Sequence, residues 1–344
     1  MAVRMKDIAE DLGVSLITVS KAMRNQTDVS EKTRRRVLLR AKELNYTPNL
    51  AARALVTGRT YLIGLVVPDL LHTFFAEIAK SLSAALLKKG YCLTISTSDE
   101  NPGLEREVIN HLLAWHPDAL IIASAATHAE QIARIQKRGT PLILVDRRFP
   151  ELEANYIGAD DEMVGSLATE HLISVGCKRI VHLRGPETSP GIGRLKGYLN
   201  ALAKHKIECL PGNVSAKKMV DIHSRENGAA LMKHMLALKP RPDGVFAYND
   251  PMAIGAIDTI LAAGLRVPED IAVIGSGDLY YDTELRVPLS SISQQTKLIG
   301  EHAARLALSL VQSRRPMKPK SFIIQPQLVV RASTQRDRRM RRES

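Results

Sequence analysis

The residues whose types and spacing suggest a chemical function are concentrated between residues 5 and 55. Gly13 can adopt the positive φ of a tight turn, and Ser15 is a favourable N-cap for a helix over residues 16–24. Apolar residues recur at helical spacing on both sides of this turn, at Ile8, Ala9, Leu12, Val14, Val19 and Met23. A third helical pattern follows and carries a run of arginines over residues 34–36. This order is what a sequence-specific reader of DNA requires, although a generic three-helix domain would show the same pattern.

The positive charge of the chain is concentrated in the same region. The formal net charge is +12 at pH 7, and residues 1–60 hold 12 Lys and Arg against 6 Asp and Glu, which is half of that excess. A second basic segment, residues 335–344, contains five arginines against Asp337 and Glu343. A basic excess on a small terminal unit favours a nucleic-acid partner, whereas a solvated charged surface is the alternative from charge alone.

Composition limits the architecture and the chemistry of any site. At 344 residues the chain suits two or three domains, and 45% hydrophobic residues are enough for packed cores. Cys92, Cys177 and Cys209 form no CxxC pair, which suits reduced thiols. Residues 1–7 show no apolar segment of a secretion signal, and no run approaches the length of a membrane span. We therefore expect a soluble cytoplasmic protein without a metal or other cofactor.

From Tyr61 onwards, short apolar runs alternate with amphipathic helical patterns. Residues 62–67 are followed by a helical pattern over 74–87 and an apolar run over 92–97, and the same alternation resumes in the second half of the chain. This pattern predicts parallel, doubly wound sheets with helices on both faces. Two such halves, divided near residues 158–161, would form a bilobed α/β unit with a cleft. Ligands of such sheets bind beyond the carboxyl ends of the strands.

Motifs for catalysis are weak in this sequence. The glycine-rich segment over residues 191–197 places its third glycine one residue too late for a dinucleotide-binding fingerprint. The sequence contains no Walker loop, no HExxH motif and no GxSxG elbow, and its ten histidines are scattered. Without a set of converging catalytic groups, the sequence favours a protein that is not an enzyme.

Many short motifs, in order from Lys6 to Thr334, closely resemble the lactose-repressor (LacI) family of bacterial transcription regulators. They are Asp7-Ile-Ala, Gly13-Val-Ser, Thr18-Val-Ser, Val29-Ser, Tyr46-Thr-Pro-Asn, Ile63-Gly-Leu-Val, Phe74-Phe-Ala-Glu-Ile, Leu144-Val-Asp-Arg, Gly193-Arg-Leu-Lys-Gly, Tyr248-Asn-Asp, Met252-Ala-Ile-Gly, Val267-Pro-Glu-Asp and Val330-Arg-Ala-Ser-Thr. Each motif alone is weak, but their joint order and spacing are highly specific. The resemblance implies a transcriptional regulator, by analogy a repressor, whose operator affinity is controlled by a sugar-like effector.

The resemblance also implies the domain organisation. An all-α helix-turn-helix domain (residues 1–47) would precede a hinge helix and linker (48–60), a periplasmic-binding-protein-like effector-binding and dimerisation domain (61–334) and a basic tail (335–344). The first lobe of the large domain would comprise about residues 61–158 and 295–320, and the second about 161–290 and 321–334. We expect a homodimer on a near-palindromic operator, because one helix-turn-helix unit reads too few base pairs. A solute-binding protein of a transport system is the alternative, but it would have no use for residues 1–60.

By this resemblance, the second helix enters a major groove of DNA. The predicted contact residues of this domain are Ser15, Leu16, Ile17, Thr18, Ser20 and Lys21. Leu16, Ile17 and Lys21 would face base edges, whereas Thr18 and Ser20 would bond phosphates. Leu16 and Ile17 depart from the polar residues of relatives, and they would read thymine methyl groups unless they only pack the helix. Lys21 would contact guanine O6 and N7, or merely a phosphate.

Residues 48–56 resemble the hinge helix of the family. Pro48 has no N–H to lose at a helix start, and Asn49 is a reasonable N-cap. A helix this short is not stable alone, so contact with its dimer mate and with DNA would have to order it. The resemblance places Leu55 as a wedge in a minor-groove step and Arg53 near the DNA backbone. An ordinary linker with an incidental leucine is the alternative.

The resemblance further implies the residues around the cleft of the large domain. They are Phe74, Phe75, Asp146, Arg147, Arg194, Asn249, Asp278 and Gln294. Aromatic faces suit the C–H surfaces of sugars, and arginine and amide groups suit hydroxyl or carboxylate oxygens. Phe75 as a core residue, and Arg147 as a strand-end ion pair with Asp146, are the structural alternatives.

One position departs from the family pattern. Where relatives commonly have an aspartate that binds sugar hydroxyls, this chain has Gly277, within the sequence Gly275-Ser-Gly-Asp. A cleft that keeps Arg147 and Arg194 but lacks this carboxylate would be more positive. It would favour an anionic effector, such as a sugar acid or a sugar phosphate. In the alternative, Asp278 turns into the cleft and replaces the missing carboxylate.

Overall fold

The structure is a computed structural model, and it describes residues 3–47, 54–55, 57–126, 128–210, 212–215, 223–313 and 315–336. The chain forms two compact units, Met1–Thr60 and Tyr61–Ser344. The predictions for Pro48, Asn49 and Arg53, and most of the basic tail predicted over residues 335–344, lie outside the described residues.

The described part of the smaller unit packs α1 (Met5–Leu12), α2 (Leu16–Met23) and α3 (Glu31–Glu43) around an apolar core. Gly13 follows α1 with a φ of 61°, the left-handed conformation that glycine adopts without strain. Ser15 then begins α2 by accepting a hydrogen bond from the Thr18 N–H at 3.1 Å. Ile8 and Val19 are fully buried between the helices. The turn therefore fixes which side of α2 faces the core and which side faces outward.

The larger unit alternates strands and helices along the chain. Its strands are β1 (Leu62–Val67), β2 (Cys92–Thr97), β3 (Ala119–Ile122), β4 (Leu142–Val145), β5 (Asn155–Ala159), β6 (Ile180–Leu183), β7 (Gly244–Ala247), β8 (Ala272–Gly277), β9 (Ser290–Ser293), β10 (Ser321–Ile324) and β11 (Gln327–Val329). Its helices are α4 (Thr73–Leu87), α5 (Pro102–Ala114), α6 (Glu130–Gln136), α7 (Asp161–Ser174), α8 (Ser189–Lys204), α9 (Ser224–Leu236), α10 (Asp250–Ala262) and α11 (Thr296–Gln312). None of the helices in the described ranges has the length and apolar character needed to cross a membrane.

The strands form two sheets, one in each lobe. The first sheet has the order β10-β5-β4-β3-β1-β2 and is parallel, with α4 and α11 on one face and α5 and α6 on the other. The second sheet has the order β11-β9-β8-β7-β6 and is parallel except for β11. Helices α7 and α8 cover one of its faces, and α9 and α10 cover the other. The predicted fold class, doubly wound sheets beside a helix-turn-helix unit, is confirmed.

The chain passes between the lobes at residues 159–161, 293–296 and 324–327. The last passage corrects one prediction, which assigned residues 321–334 as a whole to the second lobe. Strand β10 pairs with β5 in the first sheet, and only β11 joins the second. Pro326 lies between β10 and β11 and has no N–H for a sheet ladder, so pairing breaks there and the chain crosses to the other lobe.

Candidate DNA-binding surface and interlobe ligand site

The first turn of α2 presents two apolar side chains to solvent. Leu16 and Ile17 keep 50% and 66% of their surface exposed, whereas Val19 and Ala22 on the opposite side of α2 are buried. Large apolar side chains usually lie inside a domain, but this pair does not enter the three-helix core. The exposure argues against a role limited to helix packing and leaves both side chains able to contact thymine methyl groups.

The polar residues of α2 are partly engaged within the domain. Ser15 Oγ accepts from the Thr18 N–H and lies 2.8 Å from Thr18 Oγ1, so both hydroxyl groups belong to the N-cap. Ser20 is half-buried. The Lys21 ammonium group donates to the Asp28 carboxylate, and this hydrogen bond lowers the pKa of Asp28. Sequence reasoning missed Asp28, because nothing in the helical pattern marks a partner on the loop after α2.

The basic run of α3 also holds the domain together. Arg34 donates to the Gln26 carbonyl oxygen at 2.8 Å and to the Glu31 carboxylate at 2.9 Å. Arg36 reaches the Leu12 carbonyl oxygen at 3.4 Å. Some of these arginines are therefore engaged within the domain, and fewer of them are available to bind DNA phosphates than the net charge of the segment implies.

Leu55 belongs to the predicted hinge and lies within the described residues. It lies beside Ala54 in helical conformation, and its side chain is 89% exposed. An apolar side chain this exposed is available to a binding partner, as a wedge into DNA requires.

Between the lobes, a small cavity of about 20 Å³ is lined by side chains from both lobes, some at the carboxyl ends of strands and some in the helices that follow them. Its lining residues are His72, Phe74, Phe75, Asp146, Arg194, Tyr248, Asn249, Ser276 and Gln294. The structure thus brings together six residues that the sequence predicts, and it adds His72, Tyr248 and Ser276. Tyr248 and Ser276 lie at strand ends, so position alone could have indicated them. His72 carries no comparable signal.

Arg194 is the central charged group of this cavity. It is 3% exposed and donates to Asp161 Oδ1 at 3.1 Å, to the Tyr248 carbonyl oxygen at 2.7 Å and to Gln294 Oε1 at 2.9 Å. Its guanidinium carbon also lies 4.5 Å from the centre of the Tyr248 ring, a favourable cation–π distance. Burial opposes the charge, but the Asp161 carboxylate raises the pKa of Arg194 above its usual value. One side chain therefore ties the start of α7 to the passage before α11.

Arg147 lies outside the lining of this small cavity. Its guanidinium donates to the two carboxylate oxygens of Glu100 at 2.6 and 2.8 Å and to the Ser124 carbonyl oxygen at 3.1 Å. Asp146 is 3.8 Å from Arg147 Nε. Glu100 thus holds Arg147 away from the small cavity, and the prediction that Arg147 contacts an effector in the cleft stays a prediction. Arg147 instead borders a larger interlobe cavity of about 450 Å³ next to the starts of α7 and α8.

Asp278 also lies outside both cavities. Its carboxylate accepts a hydrogen bond from Arg331 at 2.6 Å, and its N–H donates to Ser291 Oγ at 2.9 Å. The predicted alternative, in which Asp278 replaces a missing cleft carboxylate, is therefore wrong in this arrangement, since Arg331 already neutralises its charge elsewhere.

Both parts of the chain are similar to known proteins. Residues 4–49 match the family model for bacterial regulatory proteins of the lacI family, and residues 169–334 match that for the periplasmic binding protein-like domain. The HTH-type transcriptional regulator CelR of Thermobifida fusca is 32% identical over 335 residues, which cover 95% of this chain and 96% of that protein. This chain belongs to the lacI family. Its function as a DNA-binding transcriptional regulator, predicted from the motifs, is confirmed with the family.

Solved structures of lacI-family proteins share the whole architecture. The lac repressor dimer bound to operator and the anti-inducer ONPF superposes with a TM-score of 0.84 at 26% identity, covering 97% of this chain and 99% of that chain. The CelR–cellobiose complex gives a TM-score of 0.73 at 30% identity, covering 96% of this chain and 99% of that chain. The similarity therefore spans both the helix-turn-helix unit and the two lobes.

The glycine that departs from the lacI-family pattern stands beside a buried carboxyl group. A Cβ atom at Gly277 would lie 2.6 Å from Asp250 Oδ2, and one at Gly275 would lie 2.2 Å from Asp250 Oδ1. Gly277 also has a φ of 143°, which side chains disfavour. The Asp250 carboxyl group occupies the space that an aspartate side chain at position 277 would need. This local packing explains why the residue there is glycine.

Asp250 forms a buried acid pair with Asp282. Asp250 Oδ1 accepts from Ser291 Oγ at 2.6 Å, and Asp282 Oδ2 accepts from the Leu279 N–H at 2.9 Å. Burial raises the pKa of Asp250 to about 6, and burial together with the neighbouring Asp250 carboxyl raises the pKa of Asp282 to about 9. The pair therefore retains one proton at neutral pH.

Replacing Asp282 with asparagine is expected to remove part of the pH dependence of stability. A proton held in the folded state and released on unfolding makes the wild-type protein lose stability as pH rises from near the ordinary value of 3.8 to about 9. Asparagine keeps a similar shape and a donor group without titrating. The melting temperature of Asp282→Asn should therefore fall less than that of the wild type between about pH 6 and about pH 9.

The control for this measurement is Glu170→Gln, which removes a carboxylate on α7 that pairs with the exposed Lys204 at 2.7 Å. Its melting curve should follow the wild-type pH dependence. A wild-type slope in Asp282→Asn as well would show that Asp282 is not protonated in the folded protein.

Proposed function

We propose that the chain is a repressor whose operator affinity is set by a sugar-like molecule held between the lobes. The observation that carries this proposal is the convergence of Phe74, Phe75, Arg194, Asn249 and Gln294 on one interlobe cavity. Aromatic faces, one arginine and two amides suit the recognition of a polyhydroxylated ring. A carbohydrate ligand is also supported by the CelR relative, which was solved in complex with cellobiose.

A neutral sugar fits this site better than an anion. Arg194 is already paired with Asp161, and Arg147 with Glu100. Asp146 adds a carboxylate to the cavity lining. A ligand carboxylate or phosphate would have to compete with these internal carboxylates, whereas hydroxyl groups can bond to their remaining lone pairs. The expectation of an anionic effector, which assumes free arginines in the cleft, therefore loses its basis.

Binding of a sugar against the residues of the small cavity requires the lobes to separate. The small cavity has a volume of about 20 Å³, which accommodates about one water molecule. A sugar must therefore bind a more open arrangement and shift the population towards it. By linkage, the sugar and the operator must change each other's affinity by the same factor.

On the DNA side, the proposed contacts follow the exposed face of α2. Leu16, Ile17 and Lys21 contact base edges in the major groove, while Thr18 and Ser20 contact phosphates. Ser15 starts the helix, and Leu55 inserts into a minor-groove step. Asn49 and Arg53 remain predicted contacts of the hinge segment.

We infer a homodimer that binds a near-palindromic operator, because one helix-turn-helix unit reads too few base pairs for specificity. An apolar depression on the second lobe, lined in part by Ile254, Leu261 and Leu285, is a candidate for part of the dimer surface. As a regulator of bacterial transcription, the protein would act in the cytoplasm where the DNA is, and we propose no catalytic activity for it.

A thermal-shift panel of neutral sugars, uronates and phosphosugars tests the ligand class. A neutral mono- or disaccharide at a hundred times its Kd should raise the melting temperature by about 5 °C or more, because binding to the folded state alone contributes about 2.7 kcal/mol. The stabilising sugar should also change the mobility shift of the protein on genomic DNA fragments. Stabilisation by uronates or phosphosugars alone would reverse the proposed ligand class. Stabilisation by a sugar that leaves DNA binding unchanged would favour a solute-binding protein.

A further inference from the structure

We propose that Asp28 is a specificity-determining residue of the DNA-binding domain, because it pairs with Lys21 and the two side chains together read one G·C base pair. A lysine alone is a point charge that binds any phosphate as well as a base. With a carboxylate beside it, the ammonium group can donate to guanine O6 and N7 while the carboxylate accepts from the cytosine N4 amino group. The carboxylate also repels phosphates, which disfavours contacts that carry no sequence information.

The pair lies at the surface that α2 offers to DNA. Lys21 follows Ile17 by one helical turn, so the two side chains are neighbours on the same face of the helix. Ile17 is among the most exposed apolar residues of the domain, and the Lys21 and Asp28 side chains keep 35% and 52% of their surface exposed. Both polar groups can therefore reach a base edge without leaving each other.

The loop that carries Asp28 is fixed by hydrogen bonds within the domain. The Gln26 N–H donates to the Lys21 carbonyl oxygen at 3.1 Å, and the Gln26 carbonyl oxygen accepts from Arg34 at 2.8 Å. Val29, the next residue after Asp28, is buried in the three-helix core. A carboxylate on such a loop is positioned before DNA arrives, so its binding costs little conformational freedom.

A contribution to the stability of the folded domain does not explain the Lys21–Asp28 pair. Ion pairs between exposed side chains contribute little to folding, and the buried Val19 and Ala22 already fix α2 against the core. The hydrogen bond from Lys21 lowers the pKa of Asp28, so the carboxylate remains an ionised acceptor at neutral pH. The consequence of the pair is therefore expected in DNA binding.

The first test is in vitro selection of DNA from a random duplex library with the full-length wild type and Asp28→Ala. The wild type should enrich a near-palindrome with one strongly preferred G·C pair in each half-site. The variant should enrich the same palindrome but accept other base pairs at that position, with discrimination reduced by about tenfold. An unchanged preference in Asp28→Ala would overturn the proposal.

The second test measures binding to a duplex that lacks the selected site. Removal of the carboxylate frees Lys21 for phosphates, so Asp28→Ala should bind this duplex several-fold more tightly than the wild type. The slope of log K against log salt concentration should become steeper by about one. Weaker binding to all duplexes would show that Asp28 only supports the fold of the loop, and would also overturn the proposal.

Asp11→Ala is the matched control, because Asp11 pairs with Arg40 at 2.6 Å in the same domain and also carries one negative charge. The Asp11→Ala variant should leave the selected sequence unchanged. An effect equal to that of Asp28→Ala would show that the loss of one negative charge, and not the position of Asp28, causes the change. Asp28→Leu, which has a similar size but no acceptor atom, replaces the alanine variant if that variant melts early. The inference rests on the proposed placement of α2 in the major groove. That placement fails together with the inference if the wild type enriches no motif, whereas only the inference fails if the motif is enriched but insensitive to Asp28.

Discussion

Replacing Arg194 with alanine is expected to lower the free energy of unfolding by about 3–5 kcal/mol, because removal of one partner leaves the other charge buried and unpaired. That charge is the Asp161 carboxylate, 3.1 Å from Arg194 Nε. The variant also loses the donors that reach the Tyr248 carbonyl oxygen and Gln294. Denaturant unfolding of the large domain measures the loss directly.

The loss in Arg194→Ala should depend on pH in a defined direction. Burial already raises the pKa of Asp161, and Arg194 is the main group that opposes this shift. Without Arg194 the folded-state pKa rises further, so stability is retained where Asp161 is protonated and lost as pH rises. The difference between variant and wild type should therefore be smaller in mildly acidic buffer than at neutral pH.

Two further variants separate this ion pair from a general effect of lost arginine. Arg148→Ala removes an exposed neighbouring arginine and should change stability by no more than about 0.5 kcal/mol. Arg194→Met combined with Asp161→Asn removes both charges and should recover part of the stability lost in Arg194→Ala. Equal losses in Arg148→Ala and Arg194→Ala, or no recovery in the double variant, would contradict the assigned role.

Replacing Leu16 and Ile17 together with alanine is expected to weaken binding to the selected operator by about 100-fold, because each lost base contact typically costs about 1–3 kcal/mol. Binding to unrelated duplexes should change little, since these side chains carry no charge for phosphates. The melting temperature should stay near the wild-type value, because both residues are largely exposed. Fluorescence-anisotropy titrations with operator and scrambled duplexes compare the two affinities.

The matched control uses two exposed leucines of α3. Leu38 and Leu39 are 47% and 59% exposed, similar to Leu16 and Ile17, but they lie outside α2. Replacing them with alanine should leave operator affinity unchanged. If this pair weakens operator binding as much as the α2 pair does, the reading face of the domain has been assigned to the wrong helix.

Much of the fold follows from local sequence patterns. The alternation of apolar runs and amphipathic helices predicts the doubly wound sheets, and Gly13 with Ser15 predicts the turn between α1 and α2. Local sequence patterns do not predict which sheet the last strands, β10 and β11, will join. Pro326 indicates a break, but whether β10 joins the first or the second sheet depends on pairing with β5 far away in the sequence. A strand of four residues carries too little information to specify that partner.

The same limit applies to the site. Residues just beyond strand ends, such as Asp146 and Asn249, can be placed at a cleft because parallel strands end at a common edge. The charge state of these residues cannot be predicted in the same way. It depends on side-chain partners that lie at no characteristic spacing in the sequence. Glu100 neutralises Arg147 from 47 residues away, and Asp282 shares the environment of Asp250 across a different loop. Of these two partners, Glu100 offsets the charge of an arginine on which the expectation of an anionic effector depends.

The late return of the chain to its first lobe has a consequence during synthesis. Strand β10 and helix α11, which complete the first sheet and cover one of its faces, follow β5 by more than a hundred residues. At translation rates of about 5–20 residues per second, the nascent first lobe waits on the order of ten seconds or more with an open β5 edge and with one apolar face covered by α4 alone. Such edges invite pairing with other chains. Slow ribosome transit through residues 160–320 should therefore increase aggregation, and chaperone protection should matter most in this interval.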